Sequence, residues 1–212
     1  MGADLTAMAK ASIHLHKGDL PAGLGFGNSV AVDTETLGLN VNRDRLCLIQ
    51  LSAGDGSAHL VQFDGVYDAP RLKALLTDPS VLKIFHFARF DIAVLEKYLG
   101  VETAPLYCTK IVSKLVRTYT DRHGLKDLAG ELLGIEISKQ QQSSDWGAKE
   151  LSQQQLAYAA SDVLHLHALK EKLDIMLERD NRRAFAEAAF RFLPVRAKLD
   201  LAGFGEEDIF SH

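Results

Sequence analysis

Carboxylates occur at three places along this chain where regular structure would aim them usefully. Asp33 and Glu35 stand two apart at the end of the apolar run Val30 to Asp33, so if strand geometry persists both side chains project to one side. Asp91 comes just after a second apolar run, Leu82 to His86. Tyr158 and Asp162 are four apart in QLAYAASDVLHLH, which sets a phenol and a carboxylate on one helical face, one turn apart. Taken singly these are weak signals. An acid at a strand end is commonly a turn or cap residue, and a tyrosine on an amphipathic helix is commonly core with its hydroxyl at the surface. As a set, Asp33, Glu35, Asp91 and Asp162 offer only hard oxygen donors, the chemistry of Mg2+ or Mn2+ rather than Zn2+. Four acids clustered without metal repel one another, so the metal-free site is expected to be strained or partly protonated.

The elements that must hold these residues can be read from apolar periodicity. Val30 to Asp33 predicts a short strand, followed by a turn suggested by Gly38 and Asn40 in TETLGLN. Arg45 to Ser52 and Ala58 to Phe63 predict two more strands joined by a turn at Gly54 to Gly56, and Leu82 to His86 a fourth. Helices are expected from about Ala69 to Leu76 and along the face marked by Phe90, Ala93, Val94 and Tyr98, stopping at Gly100. Others follow around Ile111, Leu115 and Val116, from Leu125 to Leu133 ended by Gly134, and from Ser152, a capping residue, to about Glu178. A last helix is expected over Arg182 to Leu193, cut by Pro194. Strands first and helices afterwards imply an α/β layer with a mixed sheet.

The bulk composition sets limits on class. With 212 residues, 47% hydrophobic and 25% charged, the chain can bury one core but not two. The expected organisation is a loose leader over 1–12, one domain over 13–200 and a tail over 201–212. No apolar window is long enough to span a membrane and no secretory signal opens the chain, so a cytoplasmic location is expected. Cys47 and Cys108 lie in apolar surroundings without CxxC spacing and read as small core residues. The 24 Lys and Arg against 28 Asp and Glu give a net charge of −4, which argues against a protein that coats long nucleic acid. The positive charges bunch at Arg43 and Arg45, from Lys110 to Lys126, and at Lys139, which suits a few local phosphate contacts or simply a solvated face.

Three ordered blocks resemble the DEDDy branch of the 3′→5′ exonucleases, the group that contains RNase D and the proofreading exonuclease domains. They are DTET at Asp33 to Thr36, HFARFD at His86 to Asp91, similar to HNxxFD, and YAASD at Tyr158 to Asp162, similar to YxxxD. The details DTETLGLN, DRLCLIQLS, KIFHFARFD, CTKI, TYTDRHGLK and SKQQQSSDW resemble the nano-RNase C family, small bacterial relatives of RNase D. The resemblance runs from Ile13 to about Lys172 and implies an RNase H-like, DnaQ-like exonuclease fold with a mixed five-stranded sheet flanked by helices. One departure is Phe87, which stands where many relatives have Asn and reads as packed core; Phe90 packs or touches substrate.

What the resemblance implies is hydrolysis of a phosphodiester with two divalent cations, one activating water and the other stabilising the leaving oxygen. Asp33, Glu35, Asp91 and Asp162 would hold them, and Tyr158 would orient the attacking water, because a phenol titrating near 10 is a poor base at neutral pH. The implied substrates are very short RNAs, dinucleotides above all, released as nucleoside 5′-monophosphates; longer RNA or DNA is the alternative, and an inactive nucleic-acid-binding scaffold a remote one. Leu39 stands at the position of a wedge between two bases, or is a turn residue covering the core. Thr34, His86 and Phe90 are candidate substrate contacts beside the acids. Lys139, Gln142, Ser143 and Ser144 form either a polar cap over a 5′ phosphate, with help from Arg122 or His123, or a solvated loop. The resemblance also implies a ring-shaped homo-oligomer, an octamer, to which the apolar residues Phe204, Ile209 and Phe210 contribute unless that segment frays.

Overall fold

Residues 11–138, 140–141 and 143–212 are described by the structure, a computed structural model. The leader expected over 1–12 falls almost wholly outside them, as do Lys139 and Gln142. Strand β1 runs Ser12–Lys17, β2 Ser29–Thr36, β3 Leu46–Ser52 and β4 Ser57–Gln62. Helix α1 (Pro70–Thr77) opens on a proline at its first turn, where a missing N–H costs nothing. Then come β5 (Leu82–Phe85), α2 (Ala88–Leu99), β6 (Leu106–Cys108) and α3 (Thr109–Val116). Helix α4 (Leu125–Leu128) widens into a π-helical turn over Ala129–Leu133 and ends at Gly134, whose φ of 69° suits glycine. Helices α5 (Gln153–Leu164), α6 (Leu166–Arg179) and α7 (Arg183–Leu201) complete the order.

The described strands form one mixed sheet in the order β1-β4-β3-β2-β5-β6. Strands β2, β3 and β4 are an antiparallel meander, and β5 runs parallel to β2. Six strands replace the expected five. The four strands read from periodicity omit β1, whose sequence SIHLHK is largely exposed at a sheet edge, and β6, only three residues long. An edge strand buries too little apolar surface to leave a clear pattern.

Alternation along β2 sorts the layers. Val30 and Val32 join the core that includes Ala88, Ile92 and Leu95 of α2, with Leu193 and Ala197 of α7. Ala31, on the other face, meets Val163 of α5 and Leu166, Leu169 and Leu173 of α6. A face set by period-two geometry therefore sends Asp33 and Glu35 toward α5, and Thr34 toward α2. Cys47 and Cys108 are free and buried, as expected.

Three boundaries differ from the periodicity. The strand β2 continues through the DTET block to Thr36 rather than ending at Asp33, because Asp33, Thr34, Glu35 and Thr36 still pair with Gln50, Ile49, Leu48 and Leu46. The long helix from Ser152 breaks near His165 into α5 and α6. Helix α7 runs through Pro194 to Leu201. Proline removes one helical hydrogen bond, but Leu193 and Ala197, buried on either side of it, hold both halves against the same core. Among the described residues no helix is long and apolar enough to cross a membrane.

Candidate active site

The C-terminal ends of the parallel strands β2 and β5 lie side by side, and the acids sit there. Carboxylate oxygens of Asp33, Glu35 and Asp162 come within 4.8 Å of one another. Asp33 and Glu35 reach this point because they share one face of β2, and Asp162 because α5 crosses that face against β2, β3 and β4. Asp91 arrives from the opposite layer, in the first turn of α2, where the positive end of the helix dipole favours an acid. It is buried, and the Thr34 hydroxyl, on the α2 side of the strand, donates to its Oδ1 at 2.8 Å. A single strand thus supplies two acids through one face and fixes a third through the other. A shift in the β2–β3 register at Glu35 and Thr36 marks the spot, as bulges beside active sites often do.

Among the described residues none of the four acids pairs with Lys or Arg, and their ionisation shows it. Burial, opposed only by a backbone hydrogen bond within the strand, raises Asp33 to about 7. Burial, then the charges of Asp33, Asp162 and Asp91, raise Glu35 to about 10. Asp91 and Asp162 are raised well above the usual carboxylate range by burial and then by Asp33, with the Tyr158 hydroxyl pulling Asp162 back. The Tyr158 phenol is raised too, by burial first and then by Asp162, Glu35 and Asp33, so it stays neutral.

Helix α5 is well fixed for its task. Ser152 and Gln155 close a capping box, the Ser152 hydroxyl accepting from Gln155 N and Gln155 Oε1 accepting from Ser152 N. Tyr158 packs against buried Trp146 with ring centroids 6.0 Å apart. Trp146 thereby anchors the loop that leads into α5, while Ser143 and Ser144 of that loop line the cleft.

An open cleft of about 610 Å³ lies above the acids. Leu39 lines it and is 88% exposed, so it covers no core. The turn that presents it is tight: the Thr36 hydroxyl donates to Gly38 O, and a Cβ on Gly38 would lie 2.4 Å from Asp44 Oδ2, so only glycine fits there. His86 also lines the cleft. The Thr109 hydroxyl donates to Phe85 O, so it must accept from His86 Nδ1, 2.9 Å away, which leaves Nε2 without a proton. Burial, then Lys110, lower His86 to about 3 and keep it neutral. Phe90 lines the cleft half-buried, packed against the α2-side core.

Phe87 is not packed core. It lines the cleft, 45% exposed, and adopts a left-handed φ of 74° just before α2. Only a turn from β5 into α2 this sharp brings Asp91 back over the strand ends, and composition gives no hint of it. Lys110 and Lys126 line the cleft as well; both stood out only as members of a cationic run. Arg122 and His123 are tied instead to Asp127 and Ser113, respectively.

Comparison with known proteins agrees with this geometry. Residues 13–178 match the family model described as 3′-5′ exonuclease. Brucella melitensis NrnC bound to pGG is 57% identical, with a TM-score of 0.92 over 95% of this chain and 98% of that one. Brucella melitensis NrnC with bound Mg2+ is 56% identical, with a TM-score of 0.91 over 95% of this chain and 99% of that one. Ribonuclease D of Gluconacetobacter diazotrophicus is 36% identical over 72% of this chain, which spans only 39% of that relative. The fold is accordingly the RNase H-like, DnaQ-like exonuclease fold, mixed sheet and flanking helices included. With the match extending from β1 through nearly all of α6, across every strand and helix that carries an acid of the cleft, the chain belongs to the 3′→5′ exonuclease family.

Proposed function

We propose that this enzyme is a metal-dependent exoribonuclease acting on very short RNA, dinucleotides above all, and releasing nucleoside 5′-monophosphates. The observation that carries the reading is the exposed Leu39 standing in the same cleft as the converging acids. A free-standing apolar side chain at a nuclease site is costly to expose and is well placed to slip between two bases. A cleft of about 610 Å³ is the size of a small-ligand pocket rather than a track for a long strand. The likeness to NrnC bound to pGG supports the same substrate class.

The residues present fit two divalent cations. Three carboxylates within 4.8 Å, a fourth buried beside them and, among the described residues, no cation paired with them make a hard-oxygen site short of positive charge. Asp33, Glu35, Asp91 and Asp162 would hold Mg2+ or Mn2+, in keeping with the Mg2+ bound by Brucella NrnC. When bound, such ions supply an activated water and charge stabilisation at the leaving oxygen.

The chain's own residues do the rest. Tyr158, neutral because its phenol is raised, holds the attacking water by its hydroxyl and acts by orientation. Thr34 keeps Asp91 in place through its hydroxyl, so its contribution to substrate is through position rather than contact. His86 presents an unprotonated Nε2, an acceptor for a sugar hydroxyl and no partner for a phosphate. Ser143 and Ser144, which line the cleft, cap the 5′ phosphate, and Lys139 and Gln142, outside the described residues, join them as candidates on sequence alone. Lys139→Ala then weakens a 5′-phosphorylated dinucleotide more than a long oligonucleotide; equal weakening removes the cap.

The test is a time course on 5′-labelled RNAs from dinucleotide to decanucleotide, with a DNA dinucleotide alongside, in Mn2+ and in chelator. Rapid loss of the RNA dimer with slow trimming of longer chains supports the reading. Dimers that accumulate while decamers vanish overturn it in favour of a nuclease for longer RNA, and preference for the DNA dimer overturns the ribonuclease assignment.

A further inference from the structure

The turn from β5 into α2 brings into the cleft a side chain that neither the acids nor the exposed leucine explains. Phe87 sits at a left-handed φ of 74°, a region that glycine and asparagine enter readily and bulky residues do not. Its ring is 45% exposed and belongs to no core cluster among the described residues. Neither local backbone preference nor burial therefore favours phenylalanine at this position. What the ring does have is an ammonium on one face: Lys110 Nζ lies 4.2 Å from its centroid, and both residues line the cleft. A cation held against one face of a ring fixes the ring in place and supplies positive charge beside it.

We propose that Phe87 is a specificity-determining residue, its ring the surface on which a nucleobase of the bound strand stacks, with Lys110 holding that ring and facing the adjacent phosphate. The inference rests on the cleft taking nucleic acid, as argued above. Every base offers a π face, so such a contact tolerates any sequence and strengthens with base area. Purines should gain more from it than pyrimidines.

The experiment compares wild type with Phe87→Asn and Phe87→Trp. Affinity is read by equilibrium binding in Ca2+ to diguanylate, to dicytidylate, to dinucleotides lacking one or the other base, and to a decaribonucleotide. Thermal melting of the metal-free protein is recorded in parallel. Phe87→Asn is expected to melt no lower than wild type, because asparagine suits the left-handed backbone, and to bind diguanylate about tenfold more weakly, the scale of one lost stack. Phe87→Trp is expected to restore binding, and the loss to vanish on the dinucleotide that lacks the stacked base. Unchanged affinity in Phe87→Asn, an equal loss on all ligands, or a lowered melting temperature overturns the inference. Preference of the wild type for the decamer would count against the dinucleotide reading alone, since the same variants then report the stack on the longer strand.

Discussion

At the residue scale the site is defined by what its carboxylates lack. No cation among the described residues neutralises them, so burial raises Asp33 to about 7, and burial with the charges of the neighbouring acids raises Glu35 to about 10. In the unfolded chain both ionise near 4. Groups whose folded values are raised contribute stability that is intact below pH 4 and is lost as pH climbs through those values. The chelated protein should therefore melt progressively lower from about pH 4 up to about pH 10, the Asp33 share being spent by about pH 7. Mg2+ should flatten that decline because it binds the ionised form; parallel melting curves with and without Mg2+ would show that the acids do not hold metal. Tyr158 makes a separate prediction. Tyr158→Phe keeps the ring against Trp146 and removes only the hydroxyl, so turnover should fall by about 10²–10⁴-fold with KM and melting temperature little changed. Wild-type turnover would remove Tyr158 from the chemistry.

The elements matter because each brings one acid to the ends of β2 and β5. Helix α5 carries both Tyr158 and Asp162 and starts at the Ser152–Gln155 capping box. Ser152→Ala should cost about 1 kcal/mol in urea denaturation. Arg117 is fully buried, donating to Ser113 Oγ, to Arg122 O and to Glu131, and so fixes the segment that delivers Lys126 to the cleft. Arg117→Met removes those donors, leaving Arg122 O without a partner while His123 still meets Ser113 Oγ and Tyr119 still donates to Glu131, and should cost roughly 2–3 kcal/mol, read by the same denaturation. The sequence shows α5, its cap and the stop at Gly134 because these depend on local signals. It shows the pairing of Asp33 with Glu35 because strand alternation is also local. The return of Asp91 over the strand ends is not local: it depends on a left-handed turn at Phe87, a residue with no preference for that backbone. For the same reason Phe87 reads as core, and Pro194 as a helix end, until their neighbours are known. β1 and β6 escape notice because edge position and shortness erase periodicity. The acids themselves are legible only as a set tied to a family pattern, since no single block separates a ligand from a cap.

For the whole molecule, a net charge of −4 and a small cleft belong together. A protein that reads one or two phosphates needs no basic field, so dinucleotide affinity should fall only gently with salt, with a log–log slope near about −1. A steep slope would indicate a longer track along the surface. The outer surface bears Ile175, Phe185, Val195 and Phe210, all large, apolar and exposed. The C-terminal segment that carries Phe210 is not loose at its base, because Arg196 donates to Phe204 O, Gly205 O and Glu207 O, and Arg89 pairs with Asp200. We propose that this surface serves the homo-oligomeric ring that the resemblance implies, and light scattering should then give a mass several times that of one chain; a monomer at micromolar concentration would exclude it. The central claim, metal-dependent cleavage from the 3′ end by the converged acids, is tested most directly with 3′-labelled RNA in Mn2+. Wild type should release labelled nucleoside 5′-monophosphate as its first product, and Asp33→Asn or chelator should abolish release. Labelled fragments longer than a mononucleotide, or release that survives chelation, would contradict the account.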